Sequence, residues 1–159
     1  NIGEQIDARP PAPLAEWESR HGLGAAWGEE LDRGVVLAFN PDGSGKRSFA
    51  FSIRQLETYN ITDIALLPDG GILVLQRSYS ASAFPGLAVS RFPASAIAKG
   101  KTVIPETLLE ARMPFYAIDN MEGIAVCQRN GELRVNILSD NNFNTQQQRT
   151  LLLQFAYTP

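Results

Sequence analysis

Acidic and amide side chains cluster beside short apolar runs in the second half of the chain. The stretches are Asp119-Asn120-Met121-Glu122-Gly123-Ile124-Ala125-Val126, Ser139-Asp140-Asn141-Asn142-Phe143 and Gln148-Arg149-Thr150-Leu151-Leu152-Leu153. Asp63 stands ahead of a similar apolar run, Ile64-Ala65-Leu66-Leu67. Oxygen donors arriving from several short loops suit Ca²⁺, which takes about six to eight of them with tolerant geometry. Asp63, Glu122, Asp140 and Asn141 are therefore the candidate metal ligands, and Asp63, Glu122 and Asp140 the candidate catalytic carboxylates. Arg77 and Arg149 offer planar forks for a phosphate or carboxylate group, with Asn142 beside them as a third substrate contact. The structural alternative is that an Asp or Asn at a strand end caps a turn by accepting backbone N–H groups, and that Arg149 pairs with Asp140.

Nucleophilic chemistry finds less support. No Gly-x-Ser-x-Gly elbow occurs in the chain. The only histidine, His21, would have to reach Ser78, Ser80 or Ser139 across the fold to build a triad. Cys127 sits in an alternating apolar run and reads as a small core residue rather than a nucleophile.

The elements that must position these residues are strands. From Gly34 onward, apolar runs alternate or are short and bounded by turn residues. Val35–Phe39 and Ser48–Ile53 form a hairpin across Asn40-Pro41-Asp42-Gly43. Ile61–Leu67 and Ile72–Gln76 flank Pro68-Asp69-Gly70-Gly71, where the glycines are expected to supply positive φ. Leu87–Phe92 and Thr107–Ala111 follow. Gly123–Cys127 and Leu133–Leu138 then flank Arg129-Asn130-Gly131, and Thr150–Tyr157 comes last. Ile64-Ala65 and Ile124-Ala125 occupy equivalent places in two such units, a weak internal repeat. Antiparallel units of about four strands are the signature of propeller blades, so the chain reads as all-β, with about three blades of a β-propeller. Asp63 and Glu122 would each precede the innermost strand of a blade, with Asp140, Asn141 and Asn142 on the same rim. A β-sandwich is the alternative fold.

Residues 1–33 read differently, as a Pro-containing arm and an irregular segment with Trp17 and Trp27 among glycines; residues 34–159 are the propeller portion. At 159 residues and 44% hydrophobic composition, one domain with a real core is expected. A net charge of -3 gives no basic footprint for nucleic acid or an anionic membrane, so neither partner is expected. No apolar run approaches the roughly 20 residues of a membrane-spanning helix, and no signal peptide is present in the sequence. One cysteine excludes an internal disulfide framework and a Cys-rich zinc site.

Three motifs resemble those of a known family. They are Thr62-Asp63-Ile64-Ala65-Leu66-Leu67-Pro68-Asp69-Gly70-Gly71-Ile72-Leu73-Val74-Leu75-Gln76-Arg77, Asp119-Asn120-Met121-Glu122-Gly123-Ile124-Ala125, and Ser139-Asp140-Asn141-Asn142-Phe143 with Gln148-Arg149-Thr150-Leu151-Leu152. Together they resemble the phytase-like ("esterase-like activity of phytase") family of bacterial β-propeller proteins, over roughly Tyr59 to Tyr157. Gln76 stands where the family usually has Glu, and Asn141 where it has a second Asp. The resemblance implies the C-terminal part of a larger propeller and an export-directed, periplasmic or secreted location. It also implies a possible hydrolase of phosphate or carboxylic esters, working with Ca²⁺ through clustered carboxylates. The alternative is a non-catalytic propeller that binds a small ligand or a protein. About three blades are fewer than the roughly four to eight that close a ring, so the expected partners are the missing N-terminal portion or a second copy.

Overall fold

The structure is a computed structural model and describes residues 33–39, 46–80 and 83–158. The arm, the irregular segment and the turn after Phe39 lie outside the described residues. Ten strands follow one another: β1 (Arg33–Phe39), β2 (Arg47–Arg54), β3 (Asn60–Leu66), β4 (Gly71–Ser80), β5 (Ala83–Pro93), β6 (Thr102–Val103), β7 (Glu106–Arg112), β8 (Met121–Arg129), β9 (Glu132–Ser139) and β10 (Leu152–Tyr157). The chain is all-β, and its one helical feature among the described residues is a single 3-10 turn at Ala94–Ala96.

Three sheets result. The first has the order β1-β2-β6, the second β3-β4-β5-β7 and the third β10-β9-β8. Neighbours pair antiparallel except β6, which runs parallel to β2 through Ser52↔Thr102 and Ile53↔Val103. That two-residue strand has no periodic signal in the sequence; it forms because the Lys101 carbonyl accepts from Ser52 N at 2.9 Å and draws the β5–β7 connection against β2.

The second sheet is the middle layer, buried on both faces. Leu73 and Leu75 of β4 pack with Met121, Ile124, Val135 and Ile137 of the third sheet. Val74, between them, packs with Phe51, Ile53, Phe92 and Val103 on the other side. Double burial explains why Ile72 to Leu75 is a continuous apolar run instead of an alternating one. Each such side chain contributes about 1.5–3 kcal/mol on removal from water, so these two clusters hold the layers together.

The third sheet is covered on one face only among the described residues. Cys127 lies on the other face and is exposed, with Asn136 Nδ2 donating to its Sγ at 3.4 Å. The expectation of a core cysteine fails because alternation along β8 directs Val126 inward and Cys127 outward.

Turn chemistry sets the registers. Asn130 (φ 53) and Gly131 (φ 81) link Arg129 to its cross-strand partner Glu132, so both central residues of a two-residue loop have positive φ, the geometry that matches strand twist. In the β3–β4 turn only Gly70 has positive φ, at 81. Gly71 has no such φ; a Cβ there would lie 2.9 Å from both Arg91 Nε and Asp69 Oδ1, so the Asp69–Arg91 pair packs directly over it. Asp69 accepts from Gly71 N at 2.8 Å and from Arg91 Nη2 at 2.8 Å. The Gly71 N–H first, and then Arg91, hold the Asp69 carboxyl below its ordinary range.

Candidate functional site at the bulged strand mouths

The repeat glimpsed in the sequence is a pair of β-bulges. Register slips between Ile61 and Asp63 in β3, and between Met121 and Gly123 in β8, leaving Thr62 and Glu122 as the extra residues. Bulges break the ladder and re-aim side chains, and they free backbone groups that must find other partners. Asp63 supplies those partners for both strands. Its Oδ1 accepts from Ile64 N at 2.8 Å, and its Oδ2 from Ile124 N at 2.8 Å across to β8. Thr62 Oγ1 adds a bond to the Met121 carbonyl at 3.1 Å. The two sheets are thus joined at their β3 and β8 edges by polar bonds as well as by the apolar core.

A second clamp closes the start of β8. Asp119 is buried, with Oδ1 accepting from Asn120 N at 2.8 Å and Oδ2 from Arg149 N at 2.9 Å. Ser139 Oγ donates to the Arg149 carbonyl at 2.7 Å and accepts from Leu151 N at 2.7 Å. Asp119 and Ser139 together fix where the chain re-enters the third sheet as β10. Sequence reasoning placed no role on Asp119; the signal available was its position directly before Asn120 in the second motif.

Glu122 behaves differently from Asp63 and Asp119. Its Oε1 lies 3.3 Å from Arg77 Nη2 of β4 and accepts from Asn120 Nδ2 at 2.8 Å. Both charged side chains stay about a third exposed, 33% for Arg77 and 39% for Glu122. Asn120 Nδ2 also donates to the Asp140 carbonyl at 3.3 Å, so two acceptors fix the orientation of its amide. The opposite end of that amide, Oδ1, is buried and accepts no hydrogen bond. Arg77, expected as an anion contact, and Glu122, expected as a carboxylate, are therefore brought together as one pair.

The remaining candidates form the β9–β10 loop. Asp140 Oδ1 accepts from Asn142 N at 3.1 Å, and Asn141 Oδ1 accepts from Phe143 N at 3.0 Å, two consecutive Asx turns. Asn142 (φ 49) and Phe143 (φ 57) are left-handed there, and Asn142 Nδ2 reaches Gln148 Oε1 at 3.0 Å. The side chains of Asp140, Asn141 and Asn142 hold their own loop. Arg149 and Asp140 do not form the ion pair of the structural alternative; the Arg149 main chain is held by Asp119 and Ser139. Among the described residues no group of three or more His, Cys, Asp or Glu side chains is arranged to hold a metal ion.

Gln76 is buried and spans two layers of hydrogen bonding, with Oε1 accepting from Leu56 N at 2.9 Å and Nε2 donating to Ser90 Oγ at 3.0 Å. At the same end of the second sheet lies a cluster that the sequence did not announce. Tyr59 OH donates to Glu110 Oε1 at 2.8 Å, and the Arg112 guanidinium sits 5.0 Å from the centre of the Tyr59 ring. Arg112 also reaches Glu110 at 3.4 Å and Ser78 Oγ at 3.3 Å. Gly86 completes it, since a Cβ there would overlap Ser78 Oγ and lie 2.8 Å from Tyr59 OH.

Burial, and next the bond to Glu110, push the Tyr59 hydroxyl up to about 12. The unfolded chain then loses this proton first, so the stabilisation is whole below about pH 10 and disappears as pH rises towards 12. Urea titrations across that range should show a steeper alkaline loss for the parent than for Tyr59→Phe, which has no proton to lose; equal slopes would show that Tyr59 is not the group responsible.

Stacked, mostly antiparallel sheets bridged by paired bulges, with an ion pair on the joined edge, define an all-β protein. The sequence profile of the phytase-like family, described as esterase-like activity of phytase, matches residues 22–143, and the chain belongs to that family. The match begins well before Tyr59, so the family extends over the first sheet, where the motifs are thin; it includes Ser139 to Phe143 and ends before Gln148. No curated protein and no solved structure is matched.

Proposed function

We propose that this phytase-like chain is part of a β-propeller that binds a small hydroxylated or phosphorylated molecule at Arg77 and Glu122, as a periplasmic or secreted protein. The observation that carries the reading is the Arg77–Glu122 pair, reaching from β4 to the bulge of β8 while both side chains keep exposed surface. A guanidinium beside a carboxylate offers donors and acceptors together, which matches hydroxyl groups that donate and accept, and Arg77 adds the fork that a phosphate prefers. Asn120 holds Glu122 in place, reducing the ordering cost of binding. Asp63 and Asp119, by contrast, have both oxygens committed to backbone N–H groups.

The second reading is Ca²⁺-assisted hydrolysis of phosphate or other esters. It draws on the family description and on the buried Asn120 Oδ1, an oxygen without a donor. In that reading Glu122 and Asn120 supply part of an oxygen shell, and Asp63, Asp140 and Asn141 serve as the supports they are seen to be.

Calorimetric titration with myo-inositol and with myo-inositol hexakisphosphate, in calcium and in chelator, separates the readings when phosphate release is followed in parallel. Binding without release is expected, weakened at least tenfold, about 1.4 kcal/mol, in Arg77→Ala and in Glu122→Gln, and unchanged in Arg91→Ala at the far end of β5. Calcium-dependent phosphate release lost in the same variants establishes the second reading. Equal binding by parent and variants overturns the site.

A further inference from the structure

Arg149 is held unlike the other arginines of the three sheets. Arg77, Arg91, Arg112 and Arg134 each meet a carboxylate with the guanidinium. Arg149 is fixed by its main chain instead: its N–H donates to Asp119 Oδ2 at 2.9 Å and its carbonyl accepts from Ser139 Oγ at 2.7 Å, both from buried residues. The loop before it is closed by its own bonds, Asn144 N to the Asn141 carbonyl at 2.7 Å, Gln148 N to the Asn144 carbonyl at 2.8 Å and Asn142 Nδ2 to Gln148 Oε1 at 3.0 Å. The Arg149 side chain is exposed, and its guanidinium makes no hydrogen bond or ion pair with a described residue. Burying a carboxylate is costly, and here it orders the backbone of a residue whose side chain contributes no polar contact to the fold.

The direction of that side chain follows from its neighbours. Ser139 N donates to the Leu151 carbonyl at 3.0 Å and Ser139 Oγ accepts from Leu151 N at 2.7 Å, so the chain from Arg149 to Leu151 runs extended beside Ser139. Leu151 and Leu153 pack against the core between the second and third sheets, and alternation puts Arg149 on the same face. On β4, Arg77 follows Leu73 and Leu75 on the face turned to that core. Both arginines lie at the end of the layer where β8 begins, on either side of Asp119-Asn120. Asp119 holds the Arg149 N–H, and Asn120 holds Glu122, the partner of Arg77.

We infer that Arg149 is a second anion contact beside the Arg77–Glu122 pair, and that the ligand carries at least two anionic groups set apart on one frame. The inference rests on the reading of that pair as a binding site. Arg77 shares its charge with Glu122, whereas the Arg149 fork is open for bidentate contact with a phosphate or carboxylate. Asp119 and Ser139 are then positioning residues: the main chain they hold stays still while the side chain meets the ligand, which reduces the ordering cost of binding.

Calorimetric titration of the full chain with myo-inositol, myo-inositol 1-phosphate and myo-inositol hexakisphosphate tests this. Arg149→Ala is expected to weaken the hexakisphosphate about tenfold and to bind the other two as the parent does, since Arg77 meets a single anionic group. The loss should shrink in high salt, which screens exposed charges. Arg149→Lys keeps the charge without the fork and should fall between. Arg129→Ala removes the same charge from an exposed position at the far end of β8 and should change nothing. An equal loss in Arg129→Ala, or a loss of all three ligands alike in Arg149→Ala, overturns the inference. So does parent-like hexakisphosphate binding by Arg149→Ala while Arg77→Ala and Glu122→Gln weaken every ligand, an outcome that leaves the pair as the site. Binding unchanged in Arg77→Ala and Glu122→Gln, or no binding by the parent, overturns the reading of the pair and this inference with it.

Discussion

Replacing Asp119 by alanine is expected to lower stability by about 3–5 kcal/mol, the largest effect of any single polar substitution described above. Asp119 is 8% exposed, and its carboxylate accepts from the Asn120 and Arg149 N–H groups at 2.8 and 2.9 Å. Hydrogen bonds to a charged group contribute about 1.5–3 kcal/mol each, and removing the acceptor strands two donors where water reaches them poorly. The loss should appear as a lower urea midpoint with an unchanged slope, the same in calcium and in chelator. Asp119→Asn keeps one acceptor and should lose roughly half as much. A loss below about 1 kcal/mol would mean that the Arg149 loop is held by something other than this clamp.

Gln76→Leu is expected to cost about 2–4 kcal/mol for a related reason. The Gln76 side chain is 1% exposed, and its two ends satisfy the Leu56 N–H and the Ser90 hydroxyl. Leucine keeps much of the volume and leaves the part-buried Leu56 N–H and the buried Ser90 hydroxyl without these partners. Gln76→Glu separates charge from geometry. A carboxylate still accepts from Leu56 N, and the Ser90 hydroxyl can rotate to donate. What remains is the burial of a charge, which raises a carboxyl's pKa. The folded form then favours the protonated acid, so Gln76→Glu should match the parent most closely at low pH and fall behind as pH rises. Denaturation of the three proteins at acidic and neutral pH checks both statements; a pH-independent gap between Gln76→Glu and the parent would show that shape, not charge, sets the cost.

Strand existence was legible from the sequence because turn residues punctuate it so regularly. Asn130-Gly131 and Pro68-Asp69-Gly70 mark hairpins whose strands appear where alternation places them. The face that each strand buries was legible only where one face is apolar. Cys127 was misplaced because Ala125 and Cys127 look as apolar as Ile124 and Val126, and only the layer order reveals which side is covered. β6 was missed because a main-chain contact across the fold creates it.

Site residues divide along the same line. Asp63, Glu122, Asp140, Asn141 and Asn142 were singled out by their type and their expected place at strand mouths; Asp140, Asn141 and Asn142 do follow β9, whereas Asp63 and Glu122 lie within β3 and β8, beside the bulges. Their roles depend on bulges and loop conformations that spacing does not encode. The slip at Thr62 lets Asp63 cap Ile124, and the slip at Glu122 turns that side chain to Arg77. Asp119 and Tyr59 were overlooked because their partners, Arg149 and Glu110, lie 30 and 51 positions away in the chain.

The division between clamps and recognition pair can be read directly by NMR during titration with myo-inositol hexakisphosphate. Resonances of the Arg77 side-chain Nε–H and the Asn120 side-chain amide should move with ligand, because these groups belong to or touch the exposed pair. Backbone amides of Ile124 and Arg149, held by Asp63 and Asp119, should stay in place. Movement of the Ile124 and Arg149 amides with Arg77 and Asn120 unmoved would contradict the assignment and make the clamps themselves the binding site.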